Sequence, residues 1–207
     1  MIGIPSASAS HLGAFLARHP QLSNLNLSRS PDLFSKTGLR ALTAGLGGVS
    51  LPGLKTLDLA GCNVQVDAAV DLGIFLARCS QLETLLLDDN EALFTRQGLD
   101  ALGQGLGLKS PRALNKLYIA GCNIQPQAAP SLGTILARCS NLETLSLSMN
   151  PKLMTANGLA GLEQGLNGAR LPVLQQVALY RCRVRGDESK DRIRQLLGAP
   201  ETCTVRA

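Results

Sequence analysis

A chain of 207 residues, 45% hydrophobic and 17% charged, is long enough to bury a core and too apolar to be disordered over most of its length. The formal charge of +5 is spread over single basic residues except for the alternating run Arg181, Arg183, Arg185, and four Phe, two Tyr and no Trp leave little to stack on bases. Nucleic acid is therefore not an expected partner, and neither is a membrane, since no stretch approaches the roughly 20 apolar residues of a span.

The opening residues, MIGIPSASAS, carry neither a basic leader nor a long apolar run, so a cytoplasmic protein is expected. Residues 6–18 read as the helix of an incomplete first unit. The frame leucine-x-x-leucine-x-leucine, or a close variant, then starts at Leu22, Leu54, Leu82, Leu114, Leu142 and Leu174, at separations of 32, 28, 32, 28 and 32 residues. The pair is the unit of duplication: LKTLDLAGCN (54–63) returns 60 residues later as LNKLYIAGCN (114–123), and LARCSQLETL (76–85) as LARCSNLETL (136–145).

Within each frame the apolar residues alternate, as Leu57 with Leu59 and Leu117 with Ile119, which predicts a short strand with one buried face. Between frames the period changes. Leucines 39, 42 and 46, then 99, 102 and 106, then 159, 162 and 166 are spaced for one face of a helix. The shorter units give Ala69, Leu72 and Leu76, and Ala129, Leu132 and Leu136. Neither a strand nor a helix of this kind buries its apolar face alone, so the units must stack. Strands stack about 4.8 Å apart while helices are about 10 Å across, so the stack curves around its strands.

Glycines recur inside the predicted helices, at 13, 73 and 133 and at 45, 105 and 165, although each costs about 1 kcal/mol relative to alanine. The repeated cost points to close backbone packing between neighbouring helices. In the longer units, Leu93 with Phe94 and Leu153 with Met154 read as apolar anchors of an inserted turn. At the C-terminal end DESKDRIRQLLGAP has the acidic start, apolar patch (Ile193, Leu196, Leu197) and Gly-Pro stop of a helix. The expectation is one domain over 1–207 of about six strand–helix units, with residues 186–207 as C-terminal cap and tail.

Five residues after the second frame leucine stand Ser30, Cys62, Asn90, Cys122, Asn150 and Cys182. An asparagine there can hydrogen-bond its own turn and its neighbour, and a cysteine can fill the same inward site as a weak donor. Equivalent cysteines lie two units apart, about 10 Å, beyond the reach of a disulfide. With no C-x-x-C pair and only His11 and His19, no metal, cofactor or redox pair is expected.

Paired 28- and 32-residue units with alternating cysteine and asparagine frames and a helix in every unit resemble the ribonuclease-inhibitor-like subfamily of leucine-rich repeat proteins. The resemblance implies an α/β solenoid, a horseshoe segment with a parallel sheet on the concave side and helices on the convex side. It also implies recognition of another protein, without cofactor, by a monomer or by part of a larger assembly. Enzyme inhibitors and GTPase-activating proteins occur in the class; Arg29 or Arg181 would be the finger arginine of an activator. A scaffold without catalytic role is the remaining alternative.

Residues alternating with the frame leucines face the concavity, and these change from unit to unit. Leu86 and Tyr118, in adjacent units, form an apolar patch flanked by Asp58, Asp88, Asp89 and Lys116; an aromatic anchor ringed by charge has the anatomy of a binding hot spot. Tyr180 with Arg181, Arg183 and Arg185 forms a second, basic candidate. No histidine stands by a nucleophile and no phosphate loop carries a lysine, so an enzyme is not expected.

Overall fold

The computed structural model describes residues 3–107 and 113–207. Seven strands form one sheet in chain order, every neighbour parallel: β1 Asn24–Asn26, β2 Thr56–Asp58, β3 Thr84–Leu86, β4 Lys116–Tyr118, β5 Thr144–Ser146, β6 Gln176–Ala178 and β7 Thr204–Arg206. The helices lie on the other layer: α1 Ala9–Arg18, α2 Lys36–Gly45, α3 Ala69–Leu76, α4 Arg96–Leu106, α5 Ala129–Leu136, α6 Ala156–Leu166 and α7 Asp187–Leu196. The α/β leucine-rich repeat solenoid read from the sequence is the fold, with the sheet concave and the helices convex.

Residues pair without slippage at the frame positions: Leu25, Leu57, Leu85, Leu117, Leu145, Val177 and Val205 line up across the sheet. From Leu57 to Val205 they are buried, and they meet the helix leucines such as Leu42, Leu72, Leu102, Leu132 and Leu162 in one core. The turn anchors Leu33, Phe34, Leu93, Phe94 and Leu153 are buried as well, with Met154 packed against them. After each of these longer turns Ser35, Thr95 or Thr155 caps the helix by accepting from the N–H of Gly38, Gly98 or Gly158.

The recurring helix glycines are contact points. A β-carbon on Gly73 would lie 2.5 Å from the Leu102 carbonyl oxygen and 2.7 Å from the Gly105 α-carbon, and Gly133 repeats this against Leu162 (2.5 Å) and Gly165 (2.8 Å). Gly13 stands likewise against Leu42 and Gly45. The helices are thus clamped in pairs, α1 with α2, α3 with α4 and α5 with α6. Polar side chains join one pair to the next: Arg40 pairs with Asp71 at 3.3 Å, and the Ser131 hydroxyl donates to Asp100 at 2.6 Å. Exposed links of this kind add at most about 1 kcal/mol each.

One expectation needs correction. The helix read at 186–207 forms as α7, burying Ile193, but it does not close the stack: β7 follows and pairs with β6, so the described residues form seven strands where six were expected. The unit keeps the 28-residue spacing, from Leu174 to Thr202, but reads Thr202-x-x-Val205-x-Ala207 in place of three leucines, which hid it. No helix among the described residues is long and apolar enough to cross a membrane.

Candidate functional site

The repeating part of the pattern builds the rim that carries the variable part. The side-chain amide of Asn90 donates to the carbonyls of Leu59 (2.9 Å), Leu87 (3.0 Å) and Asp88 (3.1 Å), while its oxygen accepts from the N–H of Val64. Asn150 repeats the set with Ile119, Leu147, Ser148 and Ile124. Cysteine takes the same place in the alternate units and donates one weak bond to the previous strand: Cys62 to Leu27, Cys122 to Leu87 and Cys182 to Leu147, at 3.2, 3.4 and 3.2 Å. In the first unit Ser30 accepts from Ile4 instead.

All six cysteines are free and buried. Burial pushes the thiol of Cys62 up to about 11 and those of Cys79, Cys122 and Cys139 up to about 12, and raises Cys182 and Cys203. Two results are expected. Iodoacetamide at pH 8 leaves the native thiols unmodified and labels them after denaturation, as intact mass will show; a disulfide or rapid native labelling contradicts the assignment. The unfolded chain ionises its thiols near 9.0 while the folded protein holds those of Cys79, Cys122 and Cys139 to about 12, so unfolding free energy falls between those values by about 1.4 kcal/mol per pH unit for each of these three.

On the concave face the register sets Asn26, Asp58, Leu86, Tyr118, Ser146, Ala178 and Arg206 in one row. Leu86 and Tyr118 are direct cross-strand partners, both half-buried, with Asp58 next to Leu86 in the row and Lys116 two residues before Tyr118 on β4. The sheet therefore brings together the central residues of the sequence-read patch. It also changes the meaning of two carboxylates. Asp58 Oδ1 accepts from the Ala60 N–H at 3.0 Å, and Asp88 Oδ1 from the Ala120 N–H at 2.6 Å, so each braces a strand exit with one oxygen. Burial raises the Asp88 pKa, the Ala120 N–H opposes it, and the charges of Asp89 and Asp58 add to the rise.

Towards the C-terminal end, Ser146, Ser148 and Ala178 are buried where sequence alternation leaves them on the open face. They are short side chains set in rows beside taller ones: Ser146 lies next to Tyr118, and Ala178 next to Arg206. The Ser148 hydroxyl also accepts from the Tyr180 N–H at 3.2 Å. Tyr180, 50% exposed, and Arg181, Arg183 and Arg185 stand on the rim beyond β6. Two residues there were missed. Met149, 47% exposed, bonds through its N–H to the Tyr180 carbonyl, and the 60-residue repeat could have found it, since it stands where Asp89 stands in the earlier pair. Arg206 lies on the strand whose frame has lost its leucines.

Among the described residues, no group of three or more His, Cys, Asp or Glu side chains is placed to hold a metal ion. A void of about 50 Å³ within the core is lined by apolar side chains including Leu85, Phe94, Leu106, Leu117 and Cys139, so it offers no group for chemistry.

No protein-family model matches the chain. It is similar to the NACHT, LRR and PYD domains-containing protein 12 of Mus musculus, with 30% identity over 178 residues, 86% of this chain. The chain spans 16% of that relative's length. Among solved structures, a crystal structure of the Rad7 and Elc1 complex in yeast matches over 98% of this chain and 66% of that one, at a TM-score of 0.32 and 17% identity. In-register parallel strands, helices between them and cysteine or asparagine closing the turns after the first make the architecture that of a leucine-rich repeat solenoid.

Proposed function

We propose that the protein is a non-enzymatic recognition module that binds another protein through the concave sheet, with Leu86 and Tyr118 as anchors. One observation carries the reading: the buried frame positions recur at the 60-residue spacing, whereas the central concave row from Asn26 to Arg206 differs at every strand and sets its largest apolar pair side by side. A leucine and an aromatic beside Asp58 and Lys116 supply contact area with charge at its border, as at a hot spot. Supporting it, the mouse relative carries leucine-rich repeats in its name. The ribonuclease-inhibitor-like subfamily and a cytoplasmic setting belong to the same proposal.

Affinity capture from the native cell extract with wild type beside Leu86→Ser/Tyr118→Ser tests it. Both side chains are only half-buried, so the double variant is expected to keep its circular dichroism and to lose one captured protein by about tenfold or more. Capture that is unchanged in a folded double variant removes the concave patch as the site. A GTPase-activating role predicts the opposite pattern, turnover stimulation that tolerates loss of Tyr118 and needs Arg29 or Arg181.

A further inference from the structure

The exits of β2, β4 and β6 are copies of one turn, and the third copy has been changed at every outward position. LAGCNVQ (59–65) and IAGCNIQ (119–125) become LYRCRVR (179–185). The inward residues persist as Leu or Ile, Cys, and Val or Ile: Leu179 and Cys182 are buried like Leu59 with Cys62 and Ile119 with Cys122. Alanine, glycine, asparagine and glutamine, the outward residues, are replaced by Tyr180, Arg181, Arg183 and Arg185.

The backbone did not follow the substitution. Gly61 and Gly121 have φ of 65° and 66°, and Arg181 keeps 58°; Asn63 and Asn123 have 50° and 48°, and Arg183 keeps 62°. Left-handed backbone suits glycine and asparagine and disfavours a long side chain, so two arginines are held in conformations that their own chemistry opposes. Arg206 of β7 is exposed one strand further on, opposite Ala178. No ion pair among the described residues engages Arg181, Arg183, Arg185 or Arg206; the five that form lie elsewhere.

We infer that this rim, Tyr180 with Arg181, Arg183, Arg185 and Arg206, is a second docking site, separate from the Leu86–Tyr118 patch, and that its occupant is a short acidic polypeptide segment. Guanidinium forks match carboxylates two bonds at a time, and the exposed Tyr180 and Met149 offer apolar contact beside them. The surrounding charge decides against a nucleic-acid strand. Along the same rim the turns become neutral at Gly121 and Asn123 and then acidic at Asp88, Asp89 and Glu91, about 14 Å away across three strand spacings. In the other direction α7 opens with exposed Asp187 and Glu188. A polyphosphate backbone running past the arginines meets carboxylates on both sides, whereas a segment of a few residues does not.

The repeat itself supplies the test variant. Arg181→Gly/Arg183→Asn/Arg185→Gln restores the sequence of the other two turns, and because it relieves left-handed arginines its thermal midpoint should equal or exceed that of wild type. The probe is a fluorescein-labelled oligoglutamate peptide with one central phenylalanine, read by anisotropy on the full chain. Wild type should bind it with an affinity that falls as salt rises, and the restored variant should bind about tenfold or more weakly. Leu86→Ser/Tyr118→Ser should bind it like wild type, which keeps this result distinct from that of the concave patch. Equal binding by the restored variant, or no binding by wild type at low salt, overturns the site. Tighter binding of an oligothymidylate of matched charge, lost in the same variant, overturns the assignment of the occupant, as does a wild-type dimer in sedimentation that the restored variant dissolves.

Discussion

Asn150→Ala should lower the unfolding free energy by about 3–5 kcal/mol, seen in urea as a lower midpoint and on heating as a melting temperature lower by roughly 10 °C. The side chain is buried completely and makes four bonds, three from its amide to the carbonyls of Ile119, Leu147 and Ser148 and one from the Ile124 N–H to its oxygen. Truncation leaves the Ile119 carbonyl and the Ile124 N–H without a substitute in a site that water does not reach, while the Leu147 carbonyl keeps the Cys182 thiol and the Ser148 carbonyl keeps the Gly121 N–H. The loss also crosses unit boundaries, because Ile119 and Ile124 belong to the unit before. Asn150→Cys is the informative comparison, since cysteine closes the alternate turns with a single donor, as Cys122 does to Leu87. It should cost clearly less than alanine. If alanine costs no more than about 1 kcal/mol, the turn is held by its backbone and the asparagine ladder is not the frame described above.

How much of this was readable in the sequence depended on whether a residue repeats. Asn90 and Asn150 recur at 60 residues, and one turn predicted the other; the same holds for Gly73 with Gly133 and Leu93 with Leu153. Strand β7 has no such advantage. Only the spacing from Leu174 marks it, and a unit that substitutes threonine, valine and alanine for leucines is invisible to a pattern built on leucine. The candidate site sits between these cases. Alternation placed Leu86 and Tyr118 on one face, and the register made them neighbours. Alternation does not give the height of neighbouring side chains, so Ser146 and Ala178 were read as open and are covered. Nor does it give side-chain bonds to a neighbouring strand, so Asp88 was read only as a charge flanking the patch although one of its oxygens is taken by the Ala120 N–H.

Gly105→Ala and Gly103→Ala, two residues apart on α4, should change stability in opposite directions. Taken alone, alanine in a helix interior gains about 1 kcal/mol over glycine at either position. At Gly103 nothing lies within 4 Å of the added methyl, so that gain is realised and the melting temperature rises by a few degrees. At Gly105 the methyl overlaps the Val70 carbonyl and lies 2.8 Å from the Gly73 α-carbon. These obstacles are backbone atoms of α3, and no flexible side chain can turn away to make room. Helices α3 and α4 must part, opening the contact between them and loosening Leu72 and Leu102 beneath, so the helix gain is outweighed and a net loss of about 2–3 kcal/mol results. Denaturant midpoints of the two variants beside wild type decide the matter. Equal and positive effects mean that the helices are not clamped at glycine, and the six recurrent glycines would then need another reason. Opposite signs place the cost of those glycines in the convex layer, where close helix pairs let the units stack on strands only about 4.8 Å apart.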